Sequence, residues 1–163
     1  MISFAELKDL EEIDKLAVRV ITNMAILKIP QWTLDYPRSK HYFKDVVNGS
    51  LYIYKDNQKI VGVMCLQHEN EEAYKTITGW IKENSLVIHR VIVDPSSQKK
   101  GIAQQLLDFA IAKGKKEQYQ SIKIDTHLDN YRMRNFLEKN TFQEIGYLSC
   151  INRQAYEKVL EEE

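Results

Sequence analysis

The sequence predicts an α/β protein, in which helices flank one mixed β-sheet. Apolar residues recur at helical spacing in some segments and at strand-like spacing in others, and the two kinds interleave in the order β-α-α-β-β-β-α-β-α-β-β. In the middle of the chain a strand, a loop and a helix precede another strand. That order is typical of a right-handed crossover between parallel strands.

The N-terminal third is predicted to contain a short strand at its apolar start and then two helices. Apolar residues recur at helical spacing over 10–24, and this helix should end before Pro30. A second helix is predicted over 40–47, with Ser39 as its N-cap and Gly49 as its stop.

The central part of the chain changes to strand-like spacing. A hairpin is predicted over 51–66, where two apolar runs flank a polar turn. A polar stretch over 67–85 follows, and the next strand, over 86–93, is closed by Asp94-Pro95. A polar loop then leads into a helix whose buried stripe lies over 103–111.

The C-terminal third is predicted to add a strand, a helix and a final hairpin. The strand covers 121–126, and the helix covers 131–139 with Asn130 as its cap. The hairpin covers 142–160, although its last six residues could equally form a helix. The acidic run at 161–163 is expected to be a solvated tail.

Length and charge exclude several classes of protein. The chain has 163 residues, with 23 Lys and Arg against 23 Asp and Glu, so its formal net charge is zero with histidine neutral. We expect a single domain over residues 1–163, and a hydrophobic content of 44% excludes a disordered or low-complexity chain. A neutral balance argues against nucleic acid as a partner held by bulk charge.

Cysteine usage and hydropathy restrict the remaining classes. The two cysteines, Cys65 and Cys150, stand in no Cys-x-x-Cys or histidine cluster, so neither a disulfide framework nor a metal site is predicted. No apolar run approaches the roughly 20 residues that span a bilayer, and the first residues lack a secretory signal. We therefore expect a cytoplasmic protein without a membrane partner.

The segment after the strand over 86–93 has the pattern of an anion site. The loop runs into its helix through Gln98-Lys99-Lys100-Gly101-Ile102-Ala103. N–H groups at a helix start and the helix dipole favour an anion, and Gly101 lets the backbone approach a ligand closely. The spacing fits neither the dinucleotide nor the P-loop pattern, and an ordinary helix start with solvated lysines is the alternative.

Two motifs together resemble those of a known family. Gln98-x-x-Gly101-x-Ala103 resembles motif A of the GNAT superfamily of N-acetyltransferases, whose last position is usually Gly or Ala. Asn130 and the segment 136–142 resemble a later motif of the same family. The resemblance covers almost the whole chain, which is identified on this basis as a bacterial-type, single-domain member.

Other positions agree with the family pattern or depart from it. Gln31-Trp32 and Tyr36-Pro37 resemble elements of a bacterial subgroup. Met133 stands where the family usually has Ala, and Thr141 stands where it usually has Gly. Leu137 occupies the position of a tyrosine that in the family lies near the coenzyme sulfur and is proposed to protonate the leaving thiolate.

The resemblance implies an acyl-CoA N-acyltransferase fold, in which the central mixed sheet splays apart between its fourth and fifth strands. It also implies transfer of an acetyl group from acetyl-CoA to a primary amine of a small molecule or protein, by direct attack in a ternary complex with CoA as product. Pantetheine would pair with the open edge of the fourth strand. The oligomeric state stays open, with a homodimer as one option. The residues implied in coenzyme binding are Val91, Ile92, Val93, Gln98, Lys99, Lys100, Gly101, Ile102, Ala103, Asn130 and Met133.

Catalysis requires a neutral amine, and therefore a base or a water chain leading to one. Strand alternation predicts that His89 and Val91 point the same way, which makes His89 a candidate general base titrating near neutrality. His89 aligns with the second of two strand histidines in the arylalkylamine N-acetyltransferases, whereas Val87 stands at the first. A core histidine is the alternative interpretation. Water or Tyr131 is the expected proton source for the thiolate.

Aromatic side chains are the candidates for the acceptor pocket. Trp32, Tyr36 and Trp80 are candidate pocket residues, with core packing expected for at least one of them. Asp125 and His127, at the end of the fifth strand, could also face the pocket. A GNAT fold that holds CoA as a sensor or scaffold with little activity is the alternative function, because the family's tyrosine is replaced.

Overall fold

The computed structural model describes residues 1–69 and 71–161. Its helices and strands follow one another in the predicted order. Of the predicted acidic tail, the last two residues lie outside the described part. The strands are β1 (Ile2–Phe4), β2 (Leu51–Asp56), β3 (Lys59–His68), β4 (Ser85–Val93), β5 (Ser121–Thr126), β6 (Gln143–Leu148) and β7 (Arg153–Val159). The helices are α1 (Leu10–Ile26), α2 (Ser39–Val47), α3 (Ile102–Lys116) and α4 (Tyr131–Lys139).

The strands form one mixed sheet in the order β1-β2-β3-β4-β5-β7-β6, which confirms the predicted fold class. β4 and β5 are parallel, and their ladder runs only from Ser85 opposite Ser121 to Val87 opposite Lys123. On its other edge, β5 pairs with β7 as far as Thr126. Beyond Lys123, therefore, β5 keeps its β7 partner after its ladder with β4 has ended.

The chain divides into two compact units, and each is built from two separate stretches. The first unit holds 1–66 and 89–109, and the second holds 67–88 and the residues from 110 onward. The chain crosses from the second unit to the first inside β4, between Ile88 and His89. The expectation of a single domain stays a prediction.

The first unit is built on the amphipathic helix α1. Its buried residues lie three or four positions apart, which places them on one face of the helix. This face packs with β2, β3 and the buried Tyr42 of α2 in one apolar cluster. The α1 residues of the cluster are Ile13, Leu16, Ala17 and Val20.

The start of α2 differs from the prediction, because Ser39 is not its N-cap. Ser39 is the first residue of the helix and Arg38 precedes it. The carboxylate of Asp14, on α1, accepts the Ser39 N–H at 2.8 Å and both ends of the Arg38 guanidinium at 2.9 Å. A carboxylate distant in sequence therefore does the capping that a serine hydroxyl was expected to do.

The second unit contains β5, β6, β7, α4 and the stretch that precedes β4. The predicted final hairpin is confirmed, since β6 and β7 are antiparallel and close at Leu148 opposite Arg153. The stretch before β4 is held by Glu157, a buried carboxylate that accepts the N–H groups of Ile81 and Lys82. Tyr74, in a short 3₁₀ turn, belongs to the apolar cluster of this unit.

Candidate active site

The loop that follows β4 is anchored by the buried carboxylate of Asp94. Its Oδ1 accepts the Ser96 N–H at 3.0 Å and the Ser96 hydroxyl at 2.8 Å, which forms a 3₁₀ turn over Pro95–Ser97. Its Oδ2 accepts Arg19, on α1, at 3.0 Å. Asp94 therefore fixes the point from which the predicted anion loop begins.

The loop itself has a backbone that suits an anion. Lys99 and Gly101 have φ angles of +72° and +75°, and no atom lies within 4 Å of the place where a Gly101 Cβ would stand. Helix α3 begins at Ile102, so its first N–H groups have no partner inside the helix. Lys99 and Lys100 are exposed and add positive charge. The residues present fit a pyrophosphate group.

The second half of β4 separates the roles of backbone and side chain. Ile92 is buried in the apolar cluster of the first unit, whereas Val91 and Val93 are partly buried. The Ile92 side chain is therefore a core residue. Its backbone, like those of Val91 and Val93, remains the proposed coenzyme contact.

Within β4, Arg90 has a φ of +48°, which is uncommon for any residue other than glycine. A residue in this conformation breaks the regular alternation of a strand, because alternation requires an extended backbone. Alternation therefore no longer supports the prediction that His89 and Val91 share a strand face, which stays a prediction. The sequence gives no warning, since β4 contains neither Gly nor Pro.

The Arg90 side chain is the centre of a buried cluster that sequence reasoning missed. Its Nε and Nη2 donate to the two oxygens of Asp45 at 2.7 and 2.6 Å, and its Nη1 donates to the Tyr36 hydroxyl at 3.1 Å. The Tyr42 hydroxyl donates to the Arg90 carbonyl at 3.1 Å. Burial raises the pKa of the neighbouring Cys65 thiol to about 11. The sequence contains one sign of this cluster, which is the acid Asp45 three residues after an apolar position of α2.

The sequence suggested that His89 titrates near neutrality, and the structure contradicts this. Burial and the adjacent Arg90 cation lower the pKa of His89 to about 4. Its imidazole is therefore neutral at pH 7.

The aromatic residues predicted for the acceptor fall in both units. In the first unit, Tyr36 is 37% exposed and meets the His41 ring edge-on at 4.5 Å, while Trp32 packs partly buried on the apolar cluster. In the second unit, the Trp80 indole N–H donates to the Tyr74 carbonyl at 2.7 Å, and Lys123 Nζ lies 4.5 Å from the Trp80 ring centroid. Part of the Trp80 surface thus has a structural use.

Asn130, in the second unit, caps α4 as predicted. Its Oδ1 accepts the Met133 N–H at 3.2 Å, and its own N–H donates to the His127 carbonyl at 3.0 Å. Tyr131 begins the helix and is 64% exposed. Leu137 is buried, so a core side chain fills the position of the family's tyrosine.

Asp125 lies near the carboxyl end of β5, with the Tyr74 hydroxyl donating to its Oδ2 at 2.7 Å. Arg153 Nε lies 4.0 Å from the other oxygen. Burial raises the pKa of the Asp125 carboxyl, and Tyr74 and Arg153 partly offset this effect. His127 follows, and its Nδ1 accepts the Asp129 N–H at 3.0 Å.

With this geometry established, comparison with known proteins decides the family. The model of the acetyltransferase (GNAT) family matches residues 17–142, which is more than half of the chain. The chain belongs to the GNAT family of acetyltransferases. In sequence, no curated protein matches it.

Solved structures agree with this GNAT assignment. A GNAT family acetyltransferase from Streptococcus agalactiae is 25% identical, with a TM-score of 0.89 over 99% of this chain and 96% of that one. A GNAT acetyltransferase from Listeria monocytogenes shares the fold at 17% identity, with a TM-score of 0.79 over 98% and 94% of the two chains. The ribosomal-protein-S18-alanine N-acetyltransferase from Escherichia coli shares it at 15% identity, with a TM-score of 0.70 over 100% and 95%.

Two further properties of this GNAT chain concern metals and membranes. Across 1–69 and 71–161, no group of three or more His, Cys, Asp or Glu side chains is arranged to hold a metal ion. None of the helices in the same residues has both the length and the apolar character that crossing a bilayer requires.

Proposed function

We propose that this GNAT protein transfers an acetyl group from acetyl-CoA to a primary amine of a small molecule or a protein, by direct attack in a ternary complex. The observation that carries the proposal is the loop over 98–103, in which Gly101 has a φ of +75° and open space around it at the start of α3. A pyrophosphate is the part of the coenzyme that such a backbone favours.

The proposed coenzyme contacts follow from this anion loop. The N–H groups of Gln98 to Ala103, including Ile102, bind the pyrophosphate, with Lys99 and Lys100 adding charge. The backbone groups of Val91, Ile92 and Val93 pair with the pantetheine amides, as an added strand would. Asn130 and Met133 are proposed to contact the pantetheine arm.

Acetyl-CoA supplies a thioester whose carbonyl carbon an amine can attack with release of the CoA thiol. His89 is neutral at pH 7, so it can accept a hydrogen bond from the attacking amine or from water. With a pKa near 4, His89 would have to pass such a proton on to solvent and would not keep it. The exposed Tyr131 hydroxyl or solvent is the proposed proton source for the thiolate.

Three aromatic side chains are proposed to contact the acceptor. Tyr36 presents an exposed ring whose hydroxyl is held by Arg90, so its position is fixed before an acceptor arrives. Trp32 and Trp80 present partly buried rings. Large rigid rings bind apolar parts of a ligand with little loss of entropy.

A pair of variants at Gly101 tests the proposal. Asp and Asn have nearly the same shape and both tolerate a positive φ, so their comparison isolates the effect of a negative charge beside the pyrophosphate. We expect Gly101→Asp to bind acetyl-CoA at least about tenfold more weakly than Gly101→Asn, as measured by calorimetry. Equal affinities of the two variants would contradict the loop assignment.

The buried Leu137 favours one alternative, a CoA-binding sensor or scaffold with little catalytic activity. The two functions differ in thiol release from acetyl-CoA across a panel of primary amines. Thiol release that depends on an amine supports the enzyme. Tight binding of acetyl-CoA without thiol release for any amine supports the sensor.

A further inference from the structure

The carboxylate of Asp125 has more hydrogen-bonding capacity than its neighbours use. A carboxylate can accept about four hydrogen bonds, and the described residues give Asp125 one, from the Tyr74 hydroxyl. Arg153 Nε, at 4.0 Å from Oδ1, lies beyond hydrogen-bond distance. The Asp125 side chain retains 20% exposure, and no fully buried polar atom of the described residues lacks a partner. Oδ1 is therefore open to a small ligand.

The hydrogen bond from Tyr74 does not require a negative charge on Asp125. An asparagine carbonyl would accept the Tyr74 hydroxyl equally well, without the cost of placing a charge in a partly apolar site. Ala155, the partner of Asp125 on β7, belongs to the same apolar cluster as Tyr74. A partly desolvated charge that its hydrogen bond does not require is a functional candidate.

The surroundings of Asp125 favour a cation. Tyr74 is buried and Lys123 Nζ already lies over the Trp80 ring, so the attraction for a cation comes from charge and not from these rings. Glu71 also acts on Asp125 through its charge, and Arg153 opposes it. Lys123, on the same face of β5, is paired with Glu69.

Three carboxylates (Asp125, Glu71 and Glu69) thus stand against two cations (Arg153 and Lys123), and Glu157, which interacts with Lys123 and Glu69, adds a fourth negative charge. The position points the same way, because ligands of open α/β sheets bind beyond the carboxyl ends of parallel strands. Asp125 lies at that end of β5, two residues after the ladder with β4 has stopped.

We propose that Asp125 binds the ammonium group of the acceptor and takes its proton, which makes cationic primary amines the acceptor class. This inference rests on the proposed acetyl transfer and extends it to the acceptor.

The proton balance of the step is complete. The ammonium gives one proton to Asp125, and the neutral nitrogen attacks the thioester carbon. The C–N bond forms, the C–S bond breaks, and a second proton passes from nitrogen to the departing sulfur through water. Asp125 then returns its proton to solvent. An amine that is already neutral at pH 7, such as aniline, does not need this help.

The first test is Asp125→Asn, which keeps an acceptor for Tyr74 and removes the charge. Benzylamine, spermidine and lysine amide are titrated by calorimetry into the CoA-loaded wild type and variant at pH 7.5. We expect at least one of them to bind the variant about tenfold more weakly, because a charge-assisted hydrogen bond is lost. Its kcat/KM should fall about 10²-fold, with a smaller loss for aniline.

The outcomes separate the two proposals. Failure of the wild type to bind acetyl-CoA would remove the proposed function itself. Normal acetyl-CoA binding with equal amine affinity and equal kcat/KM in wild type and Asp125→Asn would overturn only the Asp125 assignment. A wild type that binds acetyl-CoA and none of the three ammonium probes would overturn it as well.

Tyr74→Phe supplies a second measurement that a merely structural role would not move. Because the Tyr74 hydroxyl lowers the pKa of Asp125, its removal should shift the rising limb of the kcat/KM profile to higher pH. A rate that falls by the same factor at every pH would contradict Asp125 as the base.

Discussion

Two aspartates, one in each unit, show opposite degrees of pairing. Asp45 receives two hydrogen bonds from the Arg90 guanidinium, at 2.6 and 2.7 Å. Asp125 receives one from a neutral hydroxyl, and its nearest cation stands 4.0 Å away. A carboxylate held by two charge-assisted hydrogen bonds from a protein cation serves the fold, whereas one that accepts a single bond from a neutral hydroxyl can serve a ligand.

The paired cluster also stabilises an unusual backbone. Arg90 adopts a φ of +48° inside a strand, a conformation that costs on the order of 1 kcal/mol and persists only where surrounding contacts impose it. Those contacts are the Asp45 carboxylate on the side chain and the Tyr42 hydroxyl on the carbonyl. In the first unit, the buried ion pair therefore stabilises the irregular backbone of β4.

The largest expected effect on stability comes from breaking the ion pair between Asp45 and Arg90. Asp45→Asn leaves the Arg90 guanidinium buried without its counter-charge, so we expect the free energy of unfolding to fall by about 3 kcal/mol in urea denaturation. Asp45→Asn combined with Arg90→Gln should recover most of this loss, because no charge is then left unpaired. A loss below about 1 kcal/mol in the single variant would show that the pair is not needed for the fold.

The same substitution in the second unit should act with the opposite sign. Burial raises the pKa of Asp125, so the folded state disfavours its charged form. Asp125→Asn should therefore raise the free energy of unfolding at pH 7 by about 1.5 kcal/mol, as substitutions of functional residues often do. The gain should shrink as pH falls through the raised pKa of Asp125 and should vanish below the ordinary range of an aspartate, where the folded and unfolded chains are both protonated. A destabilised Asp125→Asn at pH 7 would place Asp125 with Asp45, among residues that the fold requires.

The smallest effect concerns a single neutral hydroxyl. Tyr42→Phe removes the hydrogen bond to the Arg90 carbonyl, so we expect thermal unfolding to report a loss of about 1 kcal/mol. Its kcat/KM profile should keep its position on the pH axis, in contrast to that of Tyr74→Phe. A shift of the rising limb in Tyr42→Phe would connect the Arg90 cluster to the group that titrates, and it would contradict the contrast between Asp45 and Asp125.

The sequence predicts the features that are encoded locally. Periodicity defines the strands and helices, and Gly101 marks the anion loop because only a local backbone property is involved. The start of α2 differs from the prediction because the acceptor of the Ser39 N–H, the Asp14 carboxylate, lies 25 residues from Ser39. The φ of Arg90 and the pKa of His89 depend on burial and on partners distant in sequence, which no pattern within β4 records.

The discontinuous make-up of the first unit has a consequence for synthesis on the ribosome. Residues 1–66 emerge well before 89–109, so the growing chain has α1, α2, β2 and β3 available while Ile92 and Arg90 are still missing. Asp45 must wait for a partner 45 positions later in the chain, and until then its carboxylate stays hydrated. Among the buried residues described in its apolar cluster, Ile92 alone is then missing, so the nascent first unit can gather most of its core but leaves the place of Ile92 open until β4 emerges.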